Sequence, residues 1–280
     1  MFVRVVDNSK TNLATVLEEA FSKASQARFA VAFLSLSGVS IIERWLDDLL
    51  QRGGDAEFLV GLDFHTTAPE ALRHLWRKQQ QFDRYRLICF RGKETYHPKL
   101  YLFREENGLQ AIVGSSNLTE GGLRANVEVN VMLDFPNAED ETAQALLDFY
   151  TRLKFSQGCF VPDEAYIEQY ARVAERVRAT RKAADADAVK DLAVREKALP
   201  QVVPSARDLS GWQRLVYSRL PTGKFATSDL YAFVPEFQKA YPENANIEAK
   251  IRQVLQQLRD LGLVHHLGRG EWQLNESVER

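Results

Sequence analysis

Five residues between positions 97 and 128 have the types that a phosphoryl-transfer centre needs. His97 and Lys99 are spaced i, i+2, so at the start of a strand both side chains point to one face. A short apolar run, Leu109 to Val113, leads straight into Gly114-Ser115-Ser116-Asn117. A further run, Val127 to Leu133, carries Glu128 at its start. If the three runs are neighbouring strands, an imidazole, an ammonium, a hydroxyl, a carboxamide and a carboxylate converge at their ends. Lys99, Ser115 and Asn117 would then bind phosphate oxygens, and His97 would attack phosphorus and serve as general acid and base. Glu128 would orient His97 and stabilise its charged form. No cluster of Asp, Glu and His has metal-ligand spacing, so neither a metal nor a cofactor is expected.

The elements that must position these groups follow from hydrophobic period. Phe29 to Leu34, Ala56 to Leu62, Tyr85 to Phe90, Leu100 to Phe103 and Leu109 to Val113 read as strands. Leu13 to Ala24 and Val39 to Leu50 have helical spacing, and Pro69 to Gln81 starts a helix with proline in its first turn. Strands alternating with helices imply an α/β layer fold. From Asn137 the strand signals stop. Glu139 to Leu153 is amphipathic, and Asp163 to about Ala198 is a long helical stretch followed by a linker-like Pro200 to Ser205.

The stretch Tyr96 to Leu133 resembles the phospholipase D superfamily, whose signature is His-x-Lys, four residues, Asp, then Gly-Ser-x-Asn. His97, Lys99, Gly114, Ser115 and Asn117 match in order and spacing, and Asn126-x-Glu128 resembles the trailing Asn-x-Glu of the superfamily's bacterial nucleases. The Asp position is occupied by Arg104. In the family that Asp supports the fold around the site, so the change bears on stability or local geometry more than on the nucleophile. The resemblance implies a phospholipase D-like mixed-sheet sandwich and metal-independent phosphodiester hydrolysis through a phosphohistidine. The superfamily's site uses two such motifs, whereas none of His65, His74, His265 and His266 has Lys two residues on. A homodimer joining two half-sites through the nuclease domain is therefore expected.

Beyond position 205, helix signals at Gly211 to Leu220, Ser228 to Phe233 and Ile247 to Leu261 precede two short strands, Leu263 to Leu267 and Glu271 to Leu274. That is the order of a winged helix-turn-helix. Ile247, Ile251, Val254, Leu255, Leu258 and Leu261 form one apolar stripe, with Lys250, Gln253 and Gln257 opposite, Arg252 and Arg259 at the margins and Asn246 as N-cap. Such a helix can dock by one face and read base edges or phosphates with the other. Arg269 sits at the wing tip, and Trp272 either packs the wing or stacks on a base. The segments DLYAF, YPEN, NIEAKIRQ, LRDLGL and LGRG resemble the C-terminal winged-helix domain of Dam-replacing proteins and methyladenine-directed GATC restriction endonucleases. The resemblance implies DNA binding; sensing of adenine methylation is a further property of that family. The metal-dependent nuclease core of that family is replaced here.

The expected organisation is an α/β phospholipase D-like nuclease domain (1–155), a helical connector and linker (156–205) and a winged-helix DNA-binding domain (206–280). Arg172, Arg176, Arg178, Arg181 and Lys182 oppose only Glu175 in the connector; this run is either a solvated face or a track for phosphates. The composition of the 280 residues, 45% hydrophobic and 26% charged, fits globular domains and excludes collagen, low-complexity disorder and a disulfide scaffold. The N-terminus lacks a signal-peptide layout, no apolar run reaches membrane-span length, and two cysteines suit a reduced compartment, so the expected location is cytoplasmic. The net charge of −2 is spread so that neither part is basic overall, and DNA contacts must rest on local charge. The reading is a homodimeric, metal-independent endonuclease acting on double-stranded DNA in restriction or phage defence. The alternatives are a DNA-binding regulator with a decayed nuclease domain, and a phospholipid-acting enzyme.

Overall fold

The structure, a computed structural model, describes residues 1–184 and 205–276. The chain divides into two compact units, Met1–Ala188 and Val189–Arg280. The last part of the expected long helix, the linker residues 200–204 and the side chains of Arg181 and Lys182 lie outside the described residues.

In the first unit, local signals start each helix. Asn12 caps α1 (Leu13–Lys23) by accepting from the Thr15 amide, and Ser35 caps α2 (Leu36–Gln51) by accepting from the Gly38 amide. Proline opens α3 (Pro69–Gln79), where its missing N–H is not needed. The strands β1 (Phe2–Val6), β2 (Gln26–Val31), β3 (Asp55–Gly61), β4 (Tyr85–Phe90), β5 (Lys99–Arg104), β6 (Leu109–Gly114), β7 (Asn130–Phe135) and β8 (Cys159–Phe160) make one eight-stranded sheet. Its order is β1-β7-β6-β5-β2-β3-β4-β8. β2, β3 and β4 run parallel because α2 and α3 carry the chain back between them; the remaining pairs are antiparallel.

Alternation along the strands feeds two cores. Phe29 and Val31 of β2 join Phe58 and Val60 of β3 beneath α1, α2, α3 and α5 (Glu164–Ala184). Ala30 and Leu59, one residue out of phase, face the other side, where α4 (Glu141–Lys154) contributes Ala143 and Tyr150. The result is a mixed sheet sandwiched between helices, as expected. Phe29 anchors the larger core, with the rings of Phe58, Tyr101, Phe103 and Phe21 at 4.6, 4.9, 5.5 and 5.7 Å.

Several boundaries differ from the sequence reading. The strand expected at Phe29 to Leu34 begins earlier and ends at Val31, and Leu34 instead bridges to Leu118. Strand signals do not stop at Asn137, because β8 adds two residues to the sheet edge beside β4. β1 was not foreseen: its residues do not alternate, and it pairs only with the distant β7. α5, expected within a connector, packs on α3 and buries Ile167, Tyr170 and Ala174 in the larger core.

The second unit holds α6 (Gly211–Tyr217), β9 (Lys224–Ala226), a 3-10 segment (Thr227–Phe233), α7 (Val234–Ala240), α8 (Ile247–Asp260), β10 (Val264–Gly268) and β11 (Glu271–Leu274). β9 joins the hairpin, giving a three-stranded sheet in the order β10-β11-β9. Arg269 and Gly270 make the hairpin turn with φ of +50° and +82°. The stripe of α8 is buried as read from Ile247 to Leu258, but Leu261 caps the helix and is exposed.

Candidate active site and nucleic-acid interface

Topology brings the expected residues to one end of the large sheet. β5 starts where β2, β3 and β6 end: Lys99 pairs with Val31, Leu100 with Val113, and Gly114 with Asn130 at the start of β7. His97 lies in the loop before β5 and is exposed, whereas Lys99 is only 7% exposed. Lys99 Nζ lies 2.7 Å from His97 Nδ1, 3.0 Å from Nε2 and 3.0 Å from the His97 carbonyl oxygen. Burial holds the Lys99 ammonium below the ordinary lysine range, and the charge of Glu128 opposes that shift.

Ser115 and Glu128 form a second pair. Ser115 Oγ donates to Glu128 Oε2, and it accepts from the Val129 amide at 3.0 Å. Asn126 Nδ2 donates to Glu128 Oε1 at 3.3 Å. Glu128 was expected at the start of a strand and in contact with His97. Neither holds within the chain: β7 begins at Asn130, and the hydrogen-bond partners of Glu128 among the described residues are Ser115 and Asn126. The cause is the extended lead-in 127–129, whose Val129 hydrogen-bonds Ser115 through both backbone groups and turns the carboxylate toward the serine.

Asn117 is nearly buried, and its Oδ1 accepts from the Phe33 amide at 3.2 Å, so the Nδ2 end of the carboxamide is the one left for a ligand. Gly114 allows the loop to cross β7, since a Cβ there would stand 2.3 Å from Asn130 Oδ1 and 2.4 Å from the Val129 carbonyl oxygen.

Sequence reasoning missed the groups that hold this loop. Asn130 is fully buried; its Oδ1 accepts from the Ser116 amide and its Nδ2 donates to Ser116 Oγ at 2.9 Å. Tyr101 OH donates to the Ser116 carbonyl at 2.8 Å. Asp63 Oδ2 accepts from the Tyr96 amide at 2.6 Å, fixing the loop that carries His97. An asparagine between apolar strand residues was the available signal for Asn130; Asp63 left none.

Arg104 stands at the opposite end of β5, where it pairs with Gln26 and Leu109. Five steps along the strand carry it roughly 17 Å from Lys99. The substitution therefore lies away from the residues that meet at the site. Among the described residues, no group of three or more His, Cys, Asp or Glu side chains could hold a metal ion.

In the second unit, Asn246 caps α8 by accepting from the Ala249 amide. Gln253 is exposed and its Oε1 accepts from Lys250 Nζ at 2.9 Å, so the two share a face. Arg252 NH1 donates to Tyr231 OH at 2.8 Å, with Glu248 at 3.9 Å, which pins it beside the 3-10 segment. Gln257 is less available than expected: it is half-buried, and its Oε1 faces Gln213 Nε2 at 3.4 Å because α6 packs there. Arg269 is exposed at the wing tip. Trp272 packs the wing rather than presenting a stacking face, since it is buried and its Nε1 donates to Thr227 Oγ1 at 2.9 Å.

Residues 17–150 match the family described as cardiolipin synthase, PLD-like domain, and residues 214–274 match the Dam-replacing HTH domain. The first unit thus contains a match to a PLD-like domain, and the second a match to the Dam-replacing HTH domain. Among solved structures, NucT from Helicobacter pylori is 13% identical, with a TM-score of 0.45 over 57% of this chain and 99% of that one. Nuc from Salmonella typhimurium, a phospholipase D family member, is 18% identical, with a TM-score of 0.42 over 54% of this chain and 91% of that one. Phosphatidylserine synthase from Haemophilus influenzae is 15% identical, with a TM-score of 0.46 over 64% of this chain and 46% of that one. Comparison with curated proteins gives no match. No helix among the described residues is long and apolar enough to cross a membrane.

Proposed function

We propose that the protein is a metal-independent endonuclease of double-stranded DNA, acting in the cytoplasm in restriction or phage defence and directed to its target by the second unit. The observation that carries this reading is the placement of His97, Lys99, Ser115, Asn117 and Glu128 at one sheet end, in a chain that also holds a Dam-replacing HTH domain. In this reading Lys99, Ser115 and Asn117 bind the oxygens of the scissile phosphate. A His97 ring nitrogen attacks phosphorus with its lone pair, and the bond to the leaving oxygen breaks.

The motif occurs once, so the acid is taken to be the partner's His97 in a homodimer built across this end of the sheet. That imidazole gives its proton to the leaving oxygen. It then takes a proton from water, whose oxygen displaces the first histidine from phosphorus. Exposed apolar residues beside the site support a second copy there: Val127 is fully exposed, and Val129 and Val113 are 57% and 40% exposed. Within one chain Glu128 reaches Ser115 and not His97, so its proposed role is to orient the serine and to balance the Lys99 charge. Asn246, Lys250, Arg252, Gln253 and Arg269 are the proposed DNA contacts, with Gln257 secondary.

The test is cleavage of supercoiled plasmid by the full chain in excess EDTA, with a single-turnover quench of end-labelled duplex. Nicked or linear product, and a protein–DNA adduct that acid destroys and His97→Ala lacks, support the reading. His97→Ala is expected to lose cleavage by roughly 10³-fold or more. Duplex binding without cleavage under any buffer would favour the regulator reading, and release of phosphatidate from vesicles would favour the lipid reading. The position of Arg104, distant from the site, gives the regulator reading no support.

A further inference from the structure

The loop after β3 is held in a conformation its residues disfavour. Phe64 and His65 are consecutive non-glycine residues with φ of +55° and +54°. Phe64 is also 60% exposed, so an apolar ring faces water on a strained backbone. Neither feature helps the fold.

The surroundings nevertheless fix it firmly. Thr66 Oγ1 donates to the Asp63 carbonyl at 3.1 Å, and the buried Thr67 Oγ1 donates to the Gly61 carbonyl at 2.7 Å. Tyr170 OH, from α5, donates to the Thr67 carbonyl at 2.9 Å, and the His65 ring stacks on Tyr170 at 5.8 Å. Both terminal nitrogens of Arg91 lie 3.3 Å from His65 Nε2.

One bond ties this loop to the site. Asp63 accepts from the Tyr96 amide, and Phe64 follows Asp63 as His97 follows Tyr96. The segment that carries the exposed ring is thereby tied to the segment that carries the proposed nucleophile. Arg91, which meets His65 next to Phe64, also lines with Lys93 and His97 an open groove of about 940 Å³. A protein surface covering the ring would desolvate these charges. A nucleic acid strand would satisfy both, with a base on the ring and phosphates on the cations.

We propose that Phe64 is a stacking platform for a nucleobase that leaves the duplex stack next to the scissile phosphate, with Arg91 at an adjoining phosphate. The inference rests on the nuclease reading for the identity of that phosphate. Stacking on a ring tolerates any base, so Phe64 adds affinity and register, while sequence recognition stays with the second unit.

The test uses the full chain carrying His97→Ala and a single strand of about eight nucleotides with one 2-aminopurine, within the range such grooves bind. Anisotropy gives Kd, and 2-aminopurine fluorescence reports stacking. Phe64→Ala should weaken binding roughly ten-fold and abolish the quenching, while Phe64→Trp retains both. Phe64→Gly should weaken binding equally without lowering the thermal midpoint, because glycine accepts the positive φ. Arg91→Gln should reduce the salt dependence of Kd. In the cleaving chain, Phe64→Ala should raise KM and change kcat little.

No measurable strand binding, or Kd and quenching unchanged in Phe64→Ala, overturns the proposal. So does a fall in thermal midpoint in both Phe64→Ala and Phe64→Gly, which would make the ring structural. Conversion of a dimer to a monomer by Phe64→Ala would assign the ring to a second copy and also overturns it. Cleavage insensitive to every Phe64 variant would remove the platform and leave the nuclease. Stacking with no cleavage by the His97 chain would do the reverse.

Discussion

The Lys99 ammonium lies against the His97 ring, 2.7 Å from Nδ1 and 3.0 Å from Nε2, while the Glu128 carboxylate is bonded to Ser115. Lysine has no acceptor, so only an unprotonated ring nitrogen can take a bond from it, and the tautomer sets which of the two does. Glu128 thus acts on the site through charge at Lys99 and orientation of Ser115. In the proposed reaction, a buried ammonium beside the proposed nucleophile is also well placed to move to a phosphate oxygen, where its charge is needed as negative charge develops.

This arrangement makes the alkaline side of the pH profile depend on Glu128. Burial lowers the Lys99 pKa and Glu128 raises it, so Glu128→Gln should lower it further. The alkaline limb of kcat/KM should then move to lower pH. For stability, the folded chain binds fewer protons than the unfolded chain between the depressed Lys99 value and the ordinary lysine value. The Lys99 contribution therefore rises with pH across that window and is lost as pH falls through the folded value. Lys99→Met should remove that rising component from the thermal midpoint. An alkaline limb that stays fixed or moves upward in Glu128→Gln would contradict the account.

Gly114→Ala tests how tightly the loop is docked on β7. Its Cβ would meet Asn130 Oδ1 at 2.3 Å and the Val129 carbonyl oxygen at 2.4 Å, both in the network holding Ser115 and Ser116. Backbone cannot yield as a flexible side chain does, so a loss of about 1–3 kcal/mol is expected by urea denaturation. Cleavage should fall further than stability alone requires, because Ser115 moves with the loop. Equal urea midpoints for the two proteins would refute this docking.

The exposed face of α8 separates two glutamines of similar sequence position. Gln253 shares the outer face with Lys250, whereas Gln257 faces Gln213 of α6. Gln253→Ala should cost about 1–3 kcal/mol of specific duplex affinity, the scale of a direct base contact. Gln257→Ala should cost less affinity and change the packing of α6 instead. Electrophoretic titration with specific and scrambled duplexes measures both; a larger loss at Gln257 would reverse the assignment.

Arg104→Asp restores the residue type of the superfamily signature. Arg104 lies at the far end of β5 and its partners there are Gln26 and Leu109, so the change should leave kcat within about two-fold and act only on stability. A large gain in plasmid cleavage would mean that the two ends of β5 are coupled.

The sequence by itself determined which residues are proposed for the site and the order of the elements that carry them. His97, Lys99, Ser115, Asn117 and Glu128 lie where period-2 runs begin or end, and the caps at Asn12, Ser35 and Asn246 are local signals that act locally. The wing turn at Arg269-Gly270 and the buried stripe of α8 were legible for the same reason. Only the tertiary structure decided what each side chain touches. β1 joins the sheet through β7, more than a hundred residues away, and no local period encodes that pairing. The bond of Glu128 to Ser115 depends on where β7 begins, and the strained Phe64 loop is held by Tyr96 and Tyr170 from separate segments. Contacts between distant segments are set by packing and by the need to satisfy buried polar groups. A linear pattern of residue types carries neither.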